Sequence, residues 1–416
     1  MYGFHSFFAI FLSRNVWKFY FRLILTSRLR SKMNIHACMG VILKLTVGSA
    51  YYMITKMITQ TCTYVIDYDK MVVELPGTKS KCPEGTTPFE KPFFLSTVVF
   101  GSMSLALVYF VVFRLKASDA STYSRRMIGL MFIPSILECT AFCVGIYAQI
   151  LMSLSLAMLM KGAKVVFSAV FTTTFLKRQQ FAFHWFSVAL CVAGLVVAGG
   201  SEYLNNPDTA WAVILGSSLL LASECMKAFH VIYDEMMMKK NKCDVLFIVG
   251  MEGVYSVIFL VPALLLSWLA IPGSDSGSLE DLADSLHRIG QSDMLIALFS
   301  VLPGIVVVLA IAGVMIIKYL TGVHNALISV ARSIVAWTLE LMFFYCAPDP
   351  FAKTYGKPWG TFSGVRLVGF AMVIIATLMY DEDIRFPSVF YYPIQDKASD
   401  NNVFEGSLEL KKSESS

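Results

Sequence analysis

Lys161 and Arg332 are positive charges set inside long apolar runs, Ala157–Phe167 and Leu327–Trp337, and Arg332 lies 171 positions after Lys161 in a run that matches the first. A charge at mid-membrane depth costs several kcal/mol, so such residues turn toward a bundle interior or a watery cavity. Two of them at matching points of two chain halves is the layout of a binding site at a repeat interface, as in secondary transporters. The chemistry on offer is capture of an anion, because guanidinium and ammonium groups form charge-assisted hydrogen bonds to phosphate and carboxylate.

Helical spacing selects the polar residues that could share that site, since positions three, four or seven apart lie on one face. Lys161, Lys164, Ser168 and Thr172 align, as do Glu224, Lys227, His230 and Asp234. Lys44, Gly48, Tyr52 and Lys56 form a third stripe, and Glu138, Gly145 and Gln149 a fourth. Arg332 and Glu340 fall on nearly one side. The candidate substrate-binding residues are Lys161, Lys164, Arg332, Glu138, Glu224 and Lys227. Basic residues in the stripes exceed acidic ones by one, which leans toward an anionic or phosphate-bearing cargo. Blander readings stand beside each assignment. Lys161 and Arg332 could be structural ion-pair members with Glu138 and Glu340, and Glu224 and Lys227 could pair with each other. Lys164, Lys44, Lys56 and Arg366 could snorkel, Glu252 could be an anchor, and His230 is a candidate proton-sensitive switch.

These residues need membrane-spanning elements to position them. Charged residues make up 15% of the 416-residue chain and hydrophobic ones 56%, with a mean hydropathy of +0.64. Soluble domains carry about 25% charged residues, so the expected class is an all-α polytopic membrane protein. A spanning helix needs about 20 apolar residues. Ten stretches qualify as predicted spans: 35–59, 94–113, 127–150, 154–176, 183–200, 211–233, 245–269, 295–317, 324–346 and 362–380. Backbone groups cannot go unpaired in hydrocarbon, which makes these stretches helices.

Residues 1–34 form a basic prefix with no acid before Asp67, resembling an interfacial helix, a presequence or an extension ahead of a start at Met33. Residues 381–416 read as a polar, disordered cytosolic tail in which Tyr391–Ile394 fits an endolysosomal sorting string. With both termini in the cytosol, cytosolic segments hold 20 Lys and Arg against 7 on the far side, and 14 against 7 without the prefix. That bias sets the expected orientation. Cys62 and Cys82 then lie together in a non-cytosolic loop, where a disulfide is expected over two free thiols. A second such loop, 271–294, reads as a flexible linker followed by a short amphipathic helix.

Five predicted spans per half is an odd number, so two tandem halves, 35–205 and 206–380, must insert in opposite orientations as inverted repeats. The local match is strongest between the fourth and ninth spans.

The stretch Ile133–Thr140 with Glu138, then Ser153–Phe175 with Lys161-Gly162, and Leu176–Gln179, resembles the drug/metabolite transporter superfamily. Glu252-Gly253, Arg332–Val335 and Tyr233-Asp234-Glu235 followed by a basic turn bring the likeness closest to the F-type branch of solute carrier family 35, relatives of the nucleotide-sugar transporters. It covers roughly 40–380. The resemblance implies ten helices in two inverted repeats and alternating-access transport of a small molecule. It also implies an endomembrane (Golgi, endosome or lysosome), with the mitochondrion second because of the prefix. Longer signature strings of transporters with known substrate are missing, so the likeness names no cargo.

The six histidines are isolated in sequence, and there is no Walker A string. No cofactor, metal site or nucleic-acid partner is expected; the bilayer and a small-molecule substrate are, and a homodimer is left open. The expected function is secondary transport, the alternative being a non-transporting membrane adaptor or sensor. No catalytic constellation argues for an enzyme.

Overall fold

The computed structural model describes residues 35–64, 82, 86–114, 125–151, 160–203, 210–241, 243–275, 277–346, 355–356, 358–360 and 363–380. The basic prefix and the polar tail lie outside the described residues, as does the start of the fourth predicted span.

Twelve helices carry the described chain. They are α1 (Ile35–Gln60), α2 (Pro92–Tyr109), α3 (Arg125–Leu130), α4 (Phe132–Ile150), α5 (Ala163–Phe175) and α6 (Ala182–Tyr203). After them come α7 (Ala210–Asn241), α8 (Val245–Leu269), α9 (Leu282–Gln291), α10 (Asp293–Tyr319), α11 (Gly322–Cys346) and α12 (Ser363–Tyr380). α2 runs on into a π turn, Phe110–Arg114. Seven helical segments are long and apolar enough to cross a membrane: α1, α2 with its π turn, α3 with α4, α8, α10, α11 and α12. α5 and the Ala182–Ala198 part of α6 are apolar but shorter. α7 runs for 32 residues and carries Glu224, Lys227, Asp234 and Glu235 within it.

Local chemistry sets the helix ends. Asp244 caps α8 by accepting from the Leu246 amide at 2.8 Å, and Asp281 caps α9 through the amides of Ala283 and Asp284. Such caps satisfy donors that the first helical turn leaves free. α5 ends through Leu176 into Lys177, whose φ of 49° is the left-handed conformation common just past a helix C-terminus.

Helix pairing is the main organising fact. α1 packs on α10 and α11, while α7 packs on α4 and α5. α2 packs on α8, α5 on α11, and α6 on α12. Lipid is as apolar as leucine, so association in a membrane rests on close contact and on small residues rather than on burial from water. Two seams show this. A Cβ on Gly250 of α8 would lie 2.3 Å from the Leu107 amide nitrogen of α2, and one on Gly253 would lie 2.3 Å from that of Ser104. At the second seam, a Cβ on Gly194 of α6 would meet the Gly369 carbonyl of α12 at 2.7 Å.

Two apolar cores follow from these pairs. One gathers Phe100, Met131, Ile248 and Leu302 from α2, α8, α10 and the α3–α4 junction. The other gathers Val165, Cys191, Trp337 and Val373 from α5, α6, α11 and α12.

The two loops expected on the non-cytosolic side are joined. β1 (Cys62–Tyr64) pairs antiparallel with β2 (Thr86–Pro88), and Cys62 is bonded to Cys82 across a sequence separation of 20. α9 lies against β1, and β3 (Pro272–Asp275) precedes it in the second loop. The stretch read as a flexible linker is anchored: Asp275 is buried and takes an ion pair from Lys91, which also reaches Asp284 at 2.8 Å. Asp284 in turn holds Arg288 at 2.7 Å, and Arg288 donates to the Pro88 carbonyl. Glu280 accepts from the Phe93 and Phe94 amides at 2.8 and 2.6 Å, capping α2 from another loop. Burial pushes the Glu280 carboxyl up to about 7, against the pull of those two amides and of Lys91. Phe89, Phe94 and Phe299 stack edge-to-face beneath, with centroids 5.7 to 6.2 Å apart.

Candidate functional site

α1, α5, α7 and α11 converge around the cations selected from the sequence. Lys44 feels the charges of Lys164 and Arg332; Lys161 feels those of Lys227, Glu224 and Arg332. Lys164 lies in the field of Glu138, Glu224, Lys227 and Arg332. The six candidate residues therefore form one electrostatic neighbourhood, although they come from helices up to 194 positions apart in sequence.

Close backbone approach brings the cations in. A Cβ at Gly48 of α1 would lie 2.6 Å from Arg332 Cδ and 3.3 Å from its Nη1, so the arginine side chain crosses α1 at that glycine. Tyr51 and Tyr52 flank it. At Gly145 of α4 a Cβ would lie 2.8 Å from Ser223 Oγ and 3.1 Å from Lys227 Nζ. Any larger side chain at either glycine would occupy the place of a positive charge.

The individual partners differ from those that stripe-reading suggests. Lys161 donates to Gln149 Oε1 at 2.7 Å, so its partner is a neutral amide rather than Glu138. Glu138 faces His230 Nδ1 at 3.1 Å. Glu340 pairs with Lys56 at 2.6 Å, leaving Arg332 without that carboxylate. Glu224 and Lys227 pair with each other at 3.0 Å. Lys44 is held by Asn325, a residue that sequence reasoning passed over. Among the described residues, the side chains of Lys164 and Arg332 make no ion pair or hydrogen bond. Ser168 Oγ and Thr172 Oγ1, on the Lys164 face, are buried without a hydrogen-bond partner. Five basic side chains, Lys44, Lys161, Lys164, Lys227 and Arg332, share this neighbourhood with the carboxylates of Glu138 and Glu224, and Lys164 and Arg332 keep free donors. Ammonium and guanidinium groups gathered in this way are donors suited to charge-assisted hydrogen bonds with an anion.

Helical spacing puts His230 and Asp234 on one face but does not show what else meets the imidazole. Its Nε2 lies 2.9 Å from Glu252 Oε1 and 3.2 Å from Asp234 Oδ2. Asp234 sits one turn further along α7, a legible spacing, but Glu252 comes from the next helix, and only packing brings it in.

No protein-family model matches the sequence. The human solute carrier family 35 member F6 is 25% identical over 306 residues, covering 70% of this chain and 78% of that protein. An uncharacterized protein of Schizosaccharomyces pombe, C12G12.12, is 24% identical over 62% of this chain and 75% of its own length. A Xenopus tropicalis protein named as a probable UDP-sugar transporter, SLC35A4, is 26% identical over 42% of this chain and 54% of its own. A solved crystal structure of another protein superposes with a TM-score of 0.52 at 11% identity, covering 82% of this chain and 95% of that one, a likeness of fold alone. The apolar helices make the chain an integral, multi-pass membrane protein, and the relatives support its place in the F-type branch of solute carrier family 35, within the drug/metabolite transporter superfamily.

Proposed function

We propose that this chain is a secondary active transporter that moves a small anionic or phosphate-bearing metabolite across an endomembrane by alternating access. The observation that carries the reading is the basic chamber, where cations from four helices share one field and Lys164 and Arg332 keep unengaged donors. In this reading Arg332, Lys161 and Lys164 hold the anionic part of the cargo. Glu224 tethers Lys227, and Glu138 sits at the chamber's edge where a coupling proton could be carried. The name of the Xenopus relative, a probable UDP-sugar transporter, agrees with a phosphate-bearing cargo.

Helix pairing supports a ten-span, two-repeat architecture, with halves 35–205 and 206–380. Number the spans α1, α2, α3–α4, α5 and α6 as the first five and α7, α8, α10, α11 and α12 as the last five. Exchanging each span for its counterpart turns α1 on α10 and α11 into α7 on α4 and α5, and leaves the α2–α8, α5–α11 and α6–α12 pairs in place. Both termini then face the cytosol, and the joined loops form a cap on the far side.

The test is counterflow uptake into proteoliposomes preloaded with pools of nucleotide sugars, nucleotides, amino acids and organic cations, with Arg332→Ala in parallel. Uptake from an anionic pool that the variant loses supports the reading. Wild-type uptake by both Arg332→Ala and Lys161→Ala would remove these residues from the site. Silence from folded protein across every pool would favour an adaptor or sensor.

A further inference from the structure

Beside the basic chamber lies a cluster of opposite character. His230 and Asp234 on α7 and Glu252 on α8 place one nitrogen and two oxygens within 4.8 Å of one another. They are buried, with relative exposures of 7%, 0% and 2%. Glu138, from α4, faces the other ring nitrogen at 3.1 Å.

With every carboxyl ionised, the charges of this cluster do not close on their own; they close with a proton shared by Asp234 and Glu252, or with a bound cation. Nε2 has one position to offer, a proton or a lone pair. It lies 2.9 Å from Glu252 and 3.2 Å from Asp234 and cannot donate to both. Neither oxygen of the Asp234 carboxylate finds an N–H or O–H donor among the described residues, although the residue is wholly buried and lies beside Glu252. Were all three carboxyls ionised, even an imidazolium would leave a net negative charge, and buried charge is costly unless it is paired. Lys227 is bound to Glu224, and Lys239 and Arg178 go to Glu235; Lys164 and Lys227 act on Glu138, and among the described residues no lysine or arginine acts on Asp234.

A cation lying between Nε2, Oδ2 and Oε1 would answer all three features. One imidazole nitrogen with two carboxylate oxygens suits Zn²⁺, Mn²⁺, Fe²⁺ or Co²⁺. Ca²⁺ and Mg²⁺ favour all-oxygen shells, and Cu(I) favours sulfur. Glu138 Oε2 stands 3.1 Å from Nδ1, off the hydrogen-bond line in this structure, on the side where a ligating histidine usually finds a carboxylate; an Nδ1 proton turned to it would leave the Nε2 lone pair to the metal. We propose that His230, Asp234 and Glu252 form a binding site for a divalent first-row transition-metal ion, with Glu138 as the positioning residue for the imidazole. Three protein ligands leave a fourth position for water or another group. The ion would tie α7 to α8 at the place where both pack on α4, next to the proposed cargo site and independent of what that site carries.

The experiment uses the full-length chain in detergent, stripped with chelator and titrated with Co²⁺ while its visible absorption is followed. The expected result is saturation at one ion per chain, loss of the band on adding Zn²⁺, and a rise in melting temperature with either metal. Asp234→Asn and Glu252→Gln should each weaken binding by more than 100-fold. Glu138→Gln should weaken it 10- to 100-fold without abolishing it. Glu252→His keeps a ligand in place and should bind Co²⁺ with a shifted band, so it reports on the site even if the amide variants fold poorly. No saturable Co²⁺ band in folded wild type, or binding unchanged in the Asp234→Asn/Glu252→Gln double variant, would overturn the proposal.

Discussion

The loop cap and the basic chamber use the same residue types to opposite ends. In the cap, Lys91 is shared by Asp275 and Asp284, Arg288 is locked between Asp284 and the Pro88 carbonyl, and Glu280 closes on two backbone amides. In the chamber, Lys161 has only a neutral amide, and Lys164 and Arg332 have no bonded partner among the described residues. A buried charge whose partners come from the protein works for the fold, because removing one member strands the others. A half-buried cation left without protein partners inside a helix bundle is a candidate for completion by a ligand.

The comparison predicts that chamber variants fail in transport and cap variants fail in stability. The largest effect expected is Arg332→Ala, with uptake lost and the melting temperature nearly unchanged. Lys164→Ala should act in the same direction with a smaller loss. Uptake and thermal unfolding measured on the same preparations check this, and an Arg332→Ala protein that unfolds would place the arginine with the cap's structural charges. Next is Lys91→Met, which leaves Asp275 and Asp284 buried beside each other and should cost about 3–5 kcal/mol. Chemical denaturation in detergent reads that cost, and unchanged stability would show that the cap's pairs are dispensable. Cys62→Ser opens a loop of about 20 residues and should cost about 3 kcal/mol, most visible as faster proteolysis between the two cysteines.

The smallest effect is a pH dependence. Glu280 is raised to about 7 by burial, while an unfolded glutamate titrates near 4.3. The folded state therefore binds this proton more tightly. Its contribution is complete below the unfolded value and is lost as pH rises through about 7. Lys91 and Asp275 face the carboxyl and set the shift against each other. The wild-type melting temperature should rise between pH 8 and pH 5, and Glu280→Gln should flatten that segment. A slope that persists in the variant would assign it to another group.

Much of the scaffold is legible in the sequence. The apolar runs at α1, α2, α8, α10, α11 and α12 announce themselves by length. The third and fourth runs were bounded less well, because Met131 interrupts one and the other begins outside the described residues. The second loop was read as a linker because Gly, Ser and Asp signal flexibility in one dimension, whereas Asp275 gains its partner from Lys91, 184 positions away. At the site, helical periodicity gave faces and residue types but no partners. Glu340 meets Lys56 across 284 positions, and Glu252 meets His230 across 22 on separate helices. Such meetings depend on how helices cross, which periodicity does not encode. Asn325 was passed over because one amide near a helix start carries no charge signal.

The glycine seam between α2 and α8 has a mechanical consequence. With backbone against backbone at Gly250 and Gly253, the two helices have little side-chain cushion at these points, so we expect them to resist shear and move as one strut. A transport cycle would then concentrate its displacement elsewhere, in the crossings of α1 with α10 and α11 and of α7 with α4 and α5, where longer side chains can slide. Paired spin labels on α2 and α8 should hold a constant separation through turnover, while labels spanning α1 and α11 should show two distances.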